Sequence, residues 1–208
     1  MESPDTFHQL PLTINPQTKA VGTTPNTSSS ALSTELELLN SLHRSFIKDL
    51  ETPVPPPPIP ANPKRSAQIG KLRETGNASY KKGDAAASAR MYSLALDMAY
   101  QRPVWEAAGL VREELSMLYG DRARAHMAQR MWAEGAVDGE CSVELKKVGN
   151  VAGWLRRGIC LLEMGRFEEA GEWVREGVEF ETNGPDKALV EELRALGRQI
   201  EEDKKGKA

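Results

Sequence analysis

The sequence reads as all-α: a three-repeat helical solenoid with a C-terminal capping helix, preceded by a small β-hairpin/helix arm and a Pro-rich linker. Three observations carry this reading. Small residues recur at three fixed phases through residues 64–208, the mark of stacked helical hairpins. Eleven of the 13 prolines lie in residues 1–63, seven of them between Pro53 and Pro63. Charge divides the chain at the same place. Residues 1–63 hold three basic and six acidic side chains, a net of −3, whereas residues 64–208 hold 24 of each sign and are neutral.

In the arm, residues 1–50, Leu10, Leu12 and Ile14 alternate with the period of a strand, and Pro11 between them restricts that strand to a sheet edge. Asn15-Pro16-Gln17-Thr18 is a turn signal, so residues 19–21 are expected to return as a second short strand. A polar link over residues 22–30 follows. Thr34-x-x-Glu37 reads as a capping box opening a helix to about Leu50, with Leu36, Leu39, Leu42 and Phe46 along one stripe. The linker, residues 51–63, must be extended polyproline-like chain and serves best as a stiff spacer. A hairpin and one helix cannot make a core of their own. The arm is therefore expected to pack on the body or, as its role, to dock on a partner.

The body repeats over residues 64–182. Each hairpin needs small residues where its two helices approach. The three phases hold Gly76, Ser88 and Ala95; Ala123, Gly135 and Ser142; and Gly158, Ala170 and Gly177. A large apolar wedge recurs as Leu72, Tyr119 and Trp154. Gly83 and Gly165 sit where a left-handed residue ends a helix cheaply, with Arg130 in that place in the second repeat. The repeat spacing is 47 residues and then 35, so the first hairpin carries an insertion near residues 99–113. Asn183-Gly184-Pro185 breaks the chain. Leu189, Val190, Leu193, Leu196 and Ile200 then mark a capping helix over residues 183–203, with a charged, frayed tail at 204–208.

This pattern resembles the tetratricopeptide (TPR) repeat. Three stretches narrow the resemblance. They are Lys64-Arg65-Ser66-Ala67-Gln68-Ile69 leading to Gly76-Asn77, Arg102-Pro103-Val104-Trp105-Glu106-Ala107 with Arg112-Glu113-Glu114-Leu115, and Val148-Gly149-Asn150 before Trp154. With the arm, they resemble the fungal cytosolic TPR subunit of the post-translational protein-translocation (Sec) complex of the endoplasmic reticulum (ER). The resemblance implies a peripheral protein on the cytosolic face of the ER membrane. It would be held there by a single-spanning membrane subunit, beside the J-domain subunit. Its groove would receive the acidic C-terminal tail of cytosolic DnaK-class chaperones.

Such a tail ends in acidic side chains and a free carboxylate, so a groove that grips it needs cations and neutral donors on adjacent inner helices. Carboxylate-clamp repeats place Lys/Arg and Asn in the first repeat, Asn in the second, and Lys with Arg in the third. Matched position by position, this chain has Arg73 and Asn77 in the first, Asp121 in place of Asn in the second, and Ala152 in place of Lys with Arg156 in the third. Asp121 opposes an acidic ligand. Arg124, three residues on, lies on the same face and is expected to neutralise it. Lys146 and Lys147 stand at the edge. The peptide-binding candidates are thus Arg73, Asn77, Asp121, Arg124 and Arg156.

Other chemistries are poorly supported. Cys141, Cys160 and His126 suggest a thiol–imidazole pair only weakly, because both cysteines fall in the helix-packing layer. No residues have zinc spacing, no glycine loop cradles phosphate, and no cofactor or enzymatic activity is implied. Basic and acidic residues balance, which excludes a nucleic-acid footprint. The apolar runs are too short to span a bilayer, and the first twenty residues lack the apolar core of a secretory signal. Trp154 reads as core, and Trp105 as either a partner anchor or local packing. Two rivals to the translocation adaptor stay open: a soluble TPR co-chaperone, and a structural scaffold whose peptide groove is vestigial.

Overall fold

The computed structural model describes residues 11–23, 29–49, 63–103 and 106–207. Residues 1–57 and 58–208 form two separate compact units. Leu10, Leu50, Trp105 and linker residues 51–62 lie outside the described residues, as does the side chain of Phe46.

In the first unit β1 (Leu12–Ile14) pairs antiparallel with β2 (Val21–Thr23), Ile14 opposite Val21. The second strand was expected at residues 19–21 and lies two residues later. Asn15 explains the shift. Its Oδ1 accepts the amides of Gln17 at 2.9 Å and Thr18 at 3.0 Å, and Lys19 turns left-handed at φ 58°, so residues 15–20 are consumed by the loop. α1 (Ser30–Asp49) starts four residues before the expected capping box. Ser29 Oγ accepts the Leu32 amide at 3.1 Å and caps it, while Thr34 sits inside and donates its hydroxyl to the Ser30 carbonyl. Asn40 ties α1 to β2: its Oδ1 accepts the Val21 amide and its Nδ2 donates to the Val21 carbonyl, both at 2.7 Å.

Among the described residues the body is a run of seven helices: α2 (Pro63–Lys81), α3 (Ala85–Tyr100), α4 (Ala108–Ala128), α5 (Trp132–Leu145), α6 (Val151–Glu163), α7 (Phe167–Glu181) and α8 (Lys187–Lys207). Pro63, expected as the last linker residue, is the first residue of α2, where a missing amide costs nothing. Successive helices pack on one another, and α8 packs on both α6 and α7. The turns α2–α3, α4–α5 and α6–α7 share one design. Gly83, Arg130 and Gly165 have φ of 85°, 58° and 72°, and in each turn the following amide returns to a carbonyl five residues back. Arg130 adopts the glycine conformation without the glycine.

All nine small phase residues are buried. Two glycines show why. A Cβ on Gly76 would lie 2.7 Å from Tyr92 Cε1, and one on Gly177 2.8 Å from Trp154 Cδ2. Trp154 is fully buried, with Trp173 at 4.3 Å between ring centroids and its indole N–H donated to the Lys147 carbonyl. Around it Val174, Val190, Leu193, Leu196 and Ile200 close the third repeat against α8. A second cluster, Ile69, Leu96, Ala99, Leu115 and Leu118, joins the first repeat to the second. The capping helix extends beyond residue 203 to Lys207, so the expected frayed tail at 204–208 is helical over nearly its whole length. Lys204 reaches Glu168 at 3.5 Å and holds part of that end. Among the described residues no helix is long and apolar enough to cross a membrane.

The insertion was expected as an added segment near residues 99–113. As expected of an insertion that lengthens the first hairpin, its ends extend α3 and also α4, leaving a short link between them. Arg102 organises that link. It grips Glu114 with two bonds of 2.7 and 2.8 Å, Glu106 at 2.6 Å and Ser66 Oγ at 3.0 Å, and its side chain is only 4% exposed. The two carboxylates hold its pKa above the ordinary arginine value against the opposing effect of burial.

Candidate peptide groove

The inner helices α2, α4 and α6 bring all five candidate residues to two adjoining cavities. One, of about 290 Å³, is lined by Arg73, Asn77, Tyr80, Lys81, Asp121 and Arg124. The other, of about 210 Å³, includes Arg73, Asp121, Lys146 and Arg156. Arg73 and Asp121 are common to both.

Asp121 has the expected ion pair with Arg124 and a closer one with Arg73. Arg73 Nε donates to Asp121 Oδ2 at 2.7 Å, whereas Arg124 stands 3.6 Å from Oδ1. Arg124 also spreads its contacts: Nη2 donates to Asn77 Oδ1 at 3.2 Å and the guanidinium lies 4.5 Å from the Tyr80 ring centroid. Tyr92 also donates to Asn77 Oδ1, at 2.6 Å, so the carbonyl end of Asn77 is occupied and its amide end is the donor left for the groove.

Arg156 differs from its neighbours in having no hydrogen-bond or ion-pair partner among the described residues. Burial pushes its pKa below the ordinary arginine value, Asp121 opposing that shift and Arg124 adding to it. Gly120 makes room for it: a Cβ there would lie 2.8 Å from Arg156 Nη1. Below it Ser116 and Ser142 exchange hydroxyl-to-carbonyl bonds of 2.8 Å across α4 and α5. Asn150 Nδ2 adds a 3.0 Å bond to the Ser142 carbonyl, and its Oδ1 caps α6 through the Gly153 amide. Buried Glu181 accepts the amides of Gly149 and Asn150 at 3.0 and 2.7 Å, which fixes the entry to α6 and thereby Arg156.

Of the edge lysines, Lys146 faces Glu113 at 3.4 Å and lines the Arg156 cavity, while Lys147 lies between Glu144 and Glu176 and is not in its wall. Ala152 is partly buried in the first turn of α6. Sequence reasoning missed Tyr80, Tyr92 and Gly120. The signal for Tyr80 was present, one helical turn after Asn77 on the same face. Nothing in the spacing marks Gly120 as the space for an arginine.

The thiols have no such setting. Cys160 is buried, and burial pushes it up to about 12; Cys141 is raised for the same reason. His126 Nε2 faces Asp138 at 3.5 Å, an acid already held by Arg122 through two bonds of 2.8 and 2.7 Å.

No family model matches the chain. It is 34% identical over 127 residues to the ER protein translocation subcomplex subunit sec67 of Schizosaccharomyces pombe, an alignment covering 60% of this chain and 66% of that one. The chain thus spans slightly less than two thirds of that relative. Its fold matches a chain in the cryo-EM structure of the Sec complex from S. cerevisiae with a TM-score of 0.66 and 22% identity, over 92% of this chain and 96% of that chain. It also matches the TPR2B domain of yeast Sti1, solved in complex with an Hsp70 peptide, with a TM-score of 0.55 and 14% identity, over 66% of this chain and 98% of that one. By its helix order, its buried small positions and these likenesses, the chain has the fold of a tetratricopeptide-repeat solenoid and is similar in sequence to a fungal ER translocation subunit.

Proposed function

We propose that the protein is a non-catalytic adaptor of the ER post-translational translocation complex. It docks through its arm to a single-spanning subunit, beside the J-domain subunit, on the cytosolic face. Its groove receives the acidic C-terminal tail of a cytosolic DnaK-class chaperone. The observation that carries the groove's role is the gathering of Arg73, Arg124 and Arg156 around the single acid Asp121, with the amide of Asn77 beside them. Three cations against one acid leave an excess of positive charge on the inner face. Arg156 has no anion of its own, so an incoming carboxylate is its natural partner. The relative's place in a translocation subcomplex and the Hsp70 peptide in the Sti1 complex support the reading.

The Arg73–Asp121 ion pair favours a second reading, a scaffold whose groove is closed by its own carboxylate. The two differ in one experiment. Purified chaperone, intact or lacking its C-terminal tail, is added to ER-derived vesicles carrying the full chain. The adaptor reading expects the chain to float with the vesicles and retain only the intact chaperone. Equal retention of both, or of neither, favours the scaffold. A chain that stays soluble while binding the tail is the co-chaperone.

A further inference from the structure

The hydrogen-bonding phase of the arm's hairpin specifies what its free edge accepts. In an antiparallel pair, residues alternate between pairs that exchange both backbone bonds and pairs whose N–H and C=O point outward. Val21 spends both groups on Asn40. It is therefore an outward-pointing residue, and so is Ile14 opposite it. The 2.9 Å bond from the Asn15 amide to the Ala20 carbonyl fixes the same phase, since it points Asn15 and Ala20 inward across the hairpin, next to the outward-pointing Ile14 and Val21. Leu12, two residues before Ile14, also points outward.

The two edges are thus unequal. The outer edge of β2 is closed by the Asn40 side chain, which imitates a strand backbone. The outer edge of β1 presents the N–H and C=O groups of Leu12 and Ile14. Among the described residues none of these groups is bonded, and the two side chains are 50% and 67% exposed. Natural edges are guarded by charge, by a bulge or by proline. Here residues 12–14 carry no charge, and Pro11 shares the inward phase of Thr13, so its missing N–H does not interrupt the outer row.

We infer that the outer edge of β1 is completed by one extended strand of a partner protein, which makes a three-stranded sheet by backbone pairing and packs apolar side chains on Leu12 and Ile14. The inference rests on the arm as the docking element. It goes further in naming the mode of docking and the partner's form, an extended apolar segment rather than a helix.

Residue-resolved hydrogen–deuterium exchange on the full chain, free and bound to ER-derived vesicles, tests it, with a chain lacking residues 1–50 alongside. Binding should slow the Leu12 and Ile14 amides by about tenfold or more. Ile14→Pro removes one outward donor and leaves the inward bonds of Thr13 and Asn15 in place. It should lower vesicle binding by about tenfold, while Ile14→Ser, which keeps the amide, should lower it less. If the truncated chain is released yet Leu12 and Ile14 exchange in the bound full chain as fast as in the free one, strand addition is wrong and arm docking survives. If the truncated chain still binds, arm docking falls and the strand with it.

Discussion

Arg102→Ala removes the guanidinium that Glu106 and Glu114 share in a largely buried site. In the wild-type site three bonds of 2.6–2.8 Å join the guanidinium to the two carboxylates, and a fourth reaches Ser66 on α2. Breaking a buried pair by deleting one partner costs about 3–5 kcal/mol, because the remaining charge stays desolvated. With a urea slope of about 2 kcal/mol/M, the midpoint should fall by roughly 2 M. The loss should begin in the first repeat, since a solenoid is held by nearest-neighbour contacts and the site joins α2, α3 and α4. Urea melts followed by circular dichroism measure the total, and amide exchange locates it. Arg102→Met/Glu106→Gln/Glu114→Gln, which leaves no buried charge, should recover most of the stability. A midpoint shift for Arg102→Ala below roughly 0.5 M would refute the view that the insertion is held by this ion cluster.

Trp154→Ala should cost about 3–5 kcal/mol in denaturant melts, and a smaller loss means the third repeat is not centred on that ring. Arg130→Gly should stabilise the body by about 1 kcal/mol, because a left-handed residue then carries no Cβ penalty; an unchanged melt removes that account of the α4–α5 turn. The Cys160 thiol, pushed up to about 12 in the fold, stays protonated where the unfolded thiol, near 8.5, ionises. Its contribution to stability is therefore complete below about pH 8.5 and is lost as pH rises towards about 12, and comparison with Cys160→Ala over that window should show the difference.

Most of the body was legible because packing geometry demands particular residues at a fixed period. Ala95, Ala123 and Gly177 are buried where helices pack, and a Cβ on Gly177 would already meet Trp154 at 2.8 Å. The ends of elements were less legible, because they depend on local competition for hydrogen bonds. Ser29 captured the α1 cap from Thr34, and the Asn15 side chain absorbed residues that alternation alone assigned to a strand. The groove candidates came from matching the carboxylate-clamp pattern of the resembling family position by position, and the fold brings those positions to adjoining cavities. The Arg124–Asp121 pair was legible from spacing along α4, but the nearest arginine to Asp121 was not, because it is set by the distance between helices. Arg73 comes from another helix and reaches closer than Arg124, three residues away.

The central claim is that the groove is a working receptor for an acidic tail despite its internal acid. Calorimetric titration of a short acidic peptide, with a free C-terminal carboxylate, into the full chain, Arg156→Ala, and Asp121→Asn/Ala152→Lys tests it most directly. The account predicts measurable binding to the wild type that weakens with salt, a loss of about tenfold or more in Arg156→Ala, and a gain in the double variant. Absence of binding to the wild type alongside binding to the double variant would contradict it, showing that Asp121 and Ala152 have closed the groove.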